Sequence, residues 1–228
     1  MKIISLKICP YVQQVRVLME AKKVHYEVEE IDPGNRPPWL MEASPDGGEV
    51  PALVTDDGKV LFQSDSIMEF IDEVFGDPLL KGSPLIKAQD RAWGFLASEN
   101  YLVQCSTQRS PDEATLKERT EELTPIFKHM ELHLNEKPYF HGSSLSMVDI
   151  NWLPLLHRTA LIEKYSGYDF LESYPKLKKW RKSLLETGLA ETSVPEDFEE
   201  IFTGFYLNEG TYLGCMSSNK SGPNLKFS

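Results

Sequence analysis

Cys9 is the residue of this chain with the most direct route to covalent chemistry. It stands in Ile8-Cys9-Pro10-Tyr11-Val12, after the apolar run Ile3 to Ile8 and before an amphipathic stretch, Val15 to Lys23. Proline suits the first helical position because it has no N–H to lose. Cys9 then falls at the helix N-cap, where unpaired backbone N–H groups and the positive end of the helix dipole favour an anion. That favours the thiolate, which is the nucleophile. The same five residues also describe a cysteine that ends a buried strand, since free cysteine is among the most buried residue types. Both readings stay open on this stretch alone.

Three further places carry polar chemistry. Val50-Pro51 opens a short apolar run, and a proline there suits an edge strand; an X–Pro bond is trans by default. Gln63-Ser64 precedes the apolar stripe Ile67, Phe70, Ile71 and Val74. Ser64 reads as a helix N-cap, which is structural by default, yet a helix start also binds anions. A ligand carboxylate can then accept from the Ser64 hydroxyl and the N–H groups beyond it, while Gln63 supplies an amide and Asp65 can meet an amino group. Arg36, in Asn35-Arg36-Pro37-Pro38-Trp39, reads as a solvated charge or as the partner of a second carboxylate. His129 and His133 are four apart on a helical stretch, but no third ligand accompanies them, so no metal is assigned. Cys105 reads as a core thiol, Cys215 as part of a loose tail and Arg16 as structural. Trp93, Phe95 and Tyr101 read as core or as cleft lining.

Those residues need elements to hold them. Residues 2–8 read as a buried strand, 11–23 as a helix and 24–31 as a half-buried strand alternating apolar and acidic residues. A short helix fits within 36–43, before a loop at 44–48. Strands at 51–55 and 59–62 flank the turn Asp56-Asp57-Gly58. A helix from Ser64 to about Phe75 follows. This order predicts a small mixed sheet with helices on both faces. After Gly76 the strand signals stop, and 85–109, 112–135, 147–165 and 175–187 read as helices, with kinks or breaks expected at Pro125 and Pro154. Pro195 to Leu207 supports one more. The expected organisation is an α/β domain over 1–76, a linker over 77–84, an all-helical domain over 85–210 and a flexible tail over 211–228.

The chain has 228 residues, enough for one large domain or two small ones. Its formal net charge of −11 argues against nucleic acid or an anionic membrane as partner, because both require clustered Lys and Arg. A small anionic ligand remains open, since charges beyond about 10 Å are screened and local residues decide. Apolar runs fall short of the ~20 residues that span a bilayer, and the N-terminus lacks the apolar core of a signal peptide. Three cysteines do not make a disulfide framework, so a reducing, cytoplasmic setting is expected.

Cys9-Pro10-Tyr11-Val12 resembles the Cys-Pro-Tyr-Cys site of glutaredoxins with Val12 in place of the second cysteine. Arg36-Pro37-Pro38-Trp39 resembles the Lys-Pro-Glu-Trp segment of omega-class glutathione transferases. Glu49-Val50-Pro51-Ala52-Leu53 is similar to the Val-Pro-x-Leu signature around a cis-proline, and Phe62-Gln63-Ser64 with Ile67 to the Glu/Gln-Ser-x-x-Ile signature. Together, in this order and before a helical half, they resemble the cytosolic glutathione transferase superfamily, in particular its cysteine-type, omega-like members. The resemblance implies a thioredoxin-like N-terminal domain with a four-stranded mixed sheet, followed by an all-α domain. It implies Cys9 as nucleophile and Tyr11, Arg36, Val50, Pro51, Gln63 and Ser64 as glutathione-binding residues. Glutathione would be the cosubstrate, with no metal, and a small hydrophobic or disulfide compound the second substrate. The implied reactions are thiol–disulfide exchange, deglutathionylation and dehydroascorbate reduction, by a homodimer. Conjugation of glutathione to electrophiles, or a non-catalytic binding or regulatory role on the same fold, are the alternatives. Ser146-Met147-Val148-Asp149 resembles the family's Ser/Thr-x-x-Asp capping box, in which Ser146 serves the Asp149 N–H and Asp149 reaches back to the Ser146 N–H.

Overall fold

The structure, a computed structural model, describes residues 1–45 and 47–220. Its first half runs β1 (Lys2–Ser5), α1 (Pro10–Ala21), β2 (Glu27–Glu30), α2 (Pro38–Ala43), β3 (Ala52–Val54), β4 (Val60–Phe62) and α3 (Ser64–Val74). The sheet order is β2-β1-β3-β4. β1 and β2 are parallel, with Ile3 opposite Val28, and α1 supplies the crossover that parallel strands require. β1 and β3 are antiparallel, with Ile3 opposite Leu53, and the β3–β4 hairpin places Leu53 opposite Leu61. Strand side chains alternate between faces. Ile3 and Leu53 therefore join the main core with Val15, Leu18, Ile67 and Ile71, while Ile4 and Ala52 pack under Leu40 of α2 on the other face. This is a thioredoxin-like domain.

The second half is helical: α4 (Pro84–Glu99), α5 (Tyr101–Gln108), α6 (Glu113–His133), α7 (Met147–Ser166), α8 (Pro175–Leu185), α9 (Leu189–Thr192), α10 (Phe198–Tyr206) and α11 (Tyr212–Lys220). α7 is its axis. Trp152, Leu153, Leu155, Leu156 and Ile162 are all buried, as expected of a helix apolar on every side. α4 reaches α7 closely at Gly94, where a Cβ would lie 2.3 Å from Asn151 Nδ2. The segment between the halves is tied down by Asp72, whose carboxylate accepts from the Leu79 N–H at 2.8 Å and the Leu80 N–H at 3.0 Å. No helix among the described residues is long and apolar enough to cross a membrane.

Several expectations need correction. The stretch 85–109 is two helices, parted at Asn100, whose side chain donates back to the Leu96 carbonyl at 2.8 Å. Pro125 and Pro154 break neither α6 nor α7; burial of the surrounding apolar side chains outweighs one lost backbone hydrogen bond. Ser64 is the first residue of α3 and Gln63 is its cap. The tail expected from 211 onward is not loose there. Thr211 and Leu213 are buried, the Tyr212 N–H donates to the Ser110 carbonyl at 2.8 Å, and α11 packs on α7. A polar, glycine-rich composition conceals these anchors: at Gly214 a Cβ would come 2.0 Å from the Asn208 carbonyl oxygen, so that glycine serves close packing. The rest of the tail, 221–228, lies outside the described residues.

The capping box of α7 is a buried junction. Asp149 Oδ2 accepts from the Ser146 N–H at 2.8 Å and the Ser146 hydroxyl at 2.6 Å. Asp149 Oδ1 accepts from the Phe140 N–H at 2.9 Å and the Trp180 indole N–H at 2.7 Å. Burial pushes the Asp149 carboxyl up from its ordinary value against the pull of these bonds. Ser146→Ala should cost about 1 kcal/mol of stability. Asp149→Ala, which leaves several buried donors unpaired, should cost about 3 kcal/mol. Urea denaturation checks both; two wild-type midpoints would contradict the structural role.

Candidate active site

Cys9 sits at the N-cap of α1 with extended backbone (φ −71°, ψ 123°), and Pro10 is the first helical residue. Its N–H donates to the Leu6 carbonyl at 2.9 Å, closing the turn between β1 and α1. The thiol points across to the start of β3, 3.9 Å from the Val50 carbonyl oxygen. The Val50–Pro51 peptide is cis. Burial pushes the Cys9 thiol above its ordinary pKa, while the Val12 and Tyr11 N–H groups and the Arg158 guanidinium pull it down. The sequence suggests a favoured thiolate. Desolvation is the stronger influence and the net direction is upward.

Two hollows meet near Cys9. One, of about 200 Å³, is lined by Tyr11, Glu49, Val50, Pro51, Gln63, Ser64, Asp65 and Leu102. Tyr11, Val50, Pro51, Gln63 and Ser64 are thus brought together as the sequence suggests. Gln63 holds φ 67° and ψ 119°, a conformation unusual for a side-chain-bearing residue that stores about 1–3 kcal/mol. Asp65 is raised from its ordinary carboxyl value, first by burial, against the Gln14 amide that donates to it at 3.4 Å. The other hollow is a cleft of about 630 Å³ that Cys9 and Pro10 share with Leu6, Ile8, Leu102, Cys105, Ser106, Arg109, Arg119, Phe205 and Tyr206. Arg36 lines neither; its guanidinium donates to the Gly47 carbonyl at 3.1 Å.

The helical half holds the Cys9 turn in place. Fully buried Arg158 donates to the Ile8 carbonyl at 3.0 Å, just before Cys9, and to the side-chain oxygen of Gln13, one turn after it. The Gln13 amide meets His157 Nδ1 at 2.9 Å, and burial pushes His157 down to about 3, so its ring is neutral at physiological pH. The next residue, Gln14, donates to the Asn151 side chain at 2.6 Å.

Arg158, Gln13, His157, Arg109 and Arg119 were not singled out in the sequence. One signal was available for Arg158: a lone arginine inside the apolar run Trp152 to Ile162. Cys105 is not a core thiol; it is half-buried, faces the cleft and accepts from the Tyr206 hydroxyl at 3.0 Å. Tyr101 is fully buried under Tyr11 and Trp93 packs on His133 and Phe140, while Phe95 is exposed away from both hollows. Arg16 donates to the Tyr26 hydroxyl at 3.2 Å, a structural contact. Among the described residues no group of three or more His, Cys, Asp or Glu is placed to hold a metal.

Residues 8–74 match the family model of the glutathione S-transferase N-terminal domain, and residues 113–183 that of the glutathione S-transferase C-terminal domain. Glutathione S-transferase omega-1 from Sus scrofa is 30% identical over 188 residues, covering 81% of this chain and 76% of its own length. The chain belongs to the glutathione S-transferase family. A second relative, "Probable glutathione S-transferase DHAR1, cytosolic" from Oryza sativa subsp. japonica, is 28% identical over 181 residues, 77% of this chain and 79% of its own. The crystal structure of the tau-class glutathione S-transferase MiGSTU from mango, Mangifera indica, superposes with a TM-score of 0.75 at 25% identity, covering 90% of this chain and 96% of its own. The two hollows beside Cys9 therefore lie in a glutathione transferase fold.

Alkylation of Cys9 by iodoacetamide should accelerate with pH through an inflection above that of free cysteine, because only the thiolate reacts and burial opposes it. Stopped-time mass spectrometry of the Cys9 peptide measures this. An inflection below that of free cysteine would contradict the balance described.

Proposed function

We propose that this chain is a glutathione-dependent thiol oxidoreductase in which Cys9 exchanges disulfides. The observation that carries the reading is the position of Cys9. It caps α1, faces the Val50 carbonyl at 3.9 Å and opens to a cleft that can admit a second substrate. Tyr11, Val50, Pro51, Gln63 and Ser64 form the proposed glutathione site. Backbone groups of Val50 would meet the cysteinyl part, and Ser64 with the α3 N-terminus a carboxylate. Asp65 and Glu49 supply negative charge for an ammonium group. Arg36, whose guanidinium donates to the Gly47 carbonyl, is assigned to glutathione by the family resemblance alone.

In the proposed cycle, the Cys9 thiolate attacks the glutathione sulfur of a mixed disulfide. A Cys9–glutathione disulfide forms, and the second substrate leaves as a thiolate and takes up a proton. The thiolate of another glutathione then attacks the glutathione sulfur held by Cys9. Glutathione disulfide leaves and the Cys9 thiolate returns. The net reaction reduces one mixed disulfide to a thiol and oxidises one glutathione. Val12 occupies the place where a local resolving thiol would stand, which is why an external thiol is needed. The raised Cys9 pKa lowers the thiolate fraction but gives a more nucleophilic sulfur, and the Tyr11 and Val12 N–H groups receive the charge when it forms. A cysteine at this position, which can bond covalently to the cosubstrate, supports this chemistry over conjugation. A cytosolic homodimer is the assembly that the family suggests.

Conjugation of glutathione to electrophiles is the second reading, favoured by the likeness to the mango tau-class enzyme. Cys9→Ala should reduce turnover of the mixed disulfide of glutathione and 2-mercaptoethanol by at least about 100-fold while glutathione binding persists, because a covalent intermediate is lost. Undiminished turnover would exclude Cys9 as nucleophile. Cys9→Ser, assayed with an aromatic halide, tests the second reading directly: a gain in conjugation would show that the site otherwise suits it.

A further inference from the structure

The glutathione side and the cleft side of Cys9 differ in charge. Glu49 and Asp65 line the hollow assigned to glutathione. The cleft holds no carboxylate in its lining and presents two arginines, Arg109 and Arg119, in a chain whose formal net charge is −11. Neither arginine makes an ion pair among the described residues. The Arg109 guanidinium lies 4.8 Å from the centre of the Phe205 ring, and Arg119 donates to the Ser106 carbonyl at 2.9 Å. These contacts hold both side chains at the cleft wall, on a ring and a carbonyl rather than on a carboxylate. Arg119 also acts on Asp112, but that carboxylate already accepts from the Thr115 N–H as the cap of α6. Beneath them, the buried guanidinium of Arg158 adds a third positive charge felt at Cys9, also without an ion-pair partner among the described residues. The rest of the lining is apolar or aromatic: Leu6, Ile8, Leu102, Phe205 and Tyr206.

A concave, low-dielectric cleft with one sign of charge concentrates ligands of the other sign. A guanidinium binds a carboxylate or sulfonate through paired N–H groups, and one stacked on an aromatic ring is already oriented for it. We infer that the cleft selects an anionic second substrate: a small organic carboxylate or sulfonate with an apolar body, whose acid group is held by Arg109 and Arg119 while its sulfur, disulfide-bonded to glutathione, departs into the cleft when Cys9 attacks the glutathione sulfur. The inference deepens the proposed function by naming a substrate class, and it rests on Cys9 as the reacting atom. Glutathione's own carboxylates fit the acid-binding end as well, so the resolving glutathione and an acidic substrate share this chemistry.

A probe that needs no turnover isolates the charge effect. Cys9 is alkylated with iodoacetate and with iodoacetamide, and the ratio of the two rates is compared with that for free glutathione. Wild type should favour iodoacetate by about fivefold relative to that reference, falling as salt is raised. The ratio should collapse toward the reference in Arg109→Gln/Arg119→Gln and be retained in Arg109→Lys/Arg119→Lys, with circular dichroism confirming that both variants fold. A wild-type ratio no higher than that of free glutathione, or one unchanged in the glutamine variant, would overturn the inference. A second arm compares glutathione mixed disulfides of 3-mercaptopropionate, 2-mercaptoethanol and cysteamine. The anionic member should be turned over best and should lose most in the glutamine variant. Turnover of all three without charge preference would defeat the anionic cleft and leave thiol exchange standing. A charge preference in alkylation with no turnover of any disulfide would defeat thiol exchange and leave the anionic cleft standing. The shared chemistry is separated by adding S-methylglutathione during alkylation: protection confined to iodoacetate would assign the arginines to glutathione's carboxylates and overturn the second-substrate assignment.

Discussion

The site depends on one buried cation. Arg158, in the middle of α7, donates to the Ile8 carbonyl before Cys9 and to the Gln13 side chain one turn after it. An isolated buried charge costs several kcal/mol, so its position has to be fixed by polar partners. Here those partners are carbonyl and amide oxygens from both halves of the molecule, the Pro154 carbonyl among them. The strand-to-helix turn that carries the thiol is therefore braced by the helical half. Gln14 on Asn151 and Gln13 on His157 extend the same brace along α1. The two halves share one apolar core, and these side-chain amides add directional contacts that fix the register of α1 on α7.

The brace holds the half-buried Cys9 beside groups that stabilise a thiolate. Burial alone raises its pKa and would leave an inert thiol. The Tyr11 and Val12 N–H groups and the Arg158 charge act in the opposite direction and are already in place when charge forms on sulfur. Such preorganised groups assist a reaction without reorganising during it. Carboxylates line the hollow on one side of the sulfur and guanidinium groups the cleft on the other, so the two hollows present different electrostatic surfaces.

Much of this was legible in the sequence because it rests on local rules. Proline after Cys9, the Asp56-Asp57-Gly58 turn, the stripe from Ile67 to Ile71 and the Ser146/Asp149 box each report through short spacings. The element order of the first half followed from its strand, helix and turn signals, and its family from several short motifs read together. What was hidden depends on long-range packing. Arg158 and Gln13 lie 145 residues apart, and no local pattern joins them. Cys105 looked like core because its helix is apolar nearby, yet the turn of α5 presents it to the cleft beside Tyr206. Arg109, at the C-cap of α5, and Arg119, on α6, become a pair only when α5 and α6 pack together. Arg36 shows the reverse case: a motif assigns it to a ligand, while the fold itself shows only its bond to the Gly47 carbonyl.

The central claim is that Cys9 takes up glutathione covalently. The most direct measurement is the intact mass of the protein after brief exposure to glutathione disulfide, followed by peptide mapping. The account predicts a single glutathione on Cys9, removed by reduced glutathione. No adduct, or one confined to the peptides of Cys105 or Cys215, would contradict it.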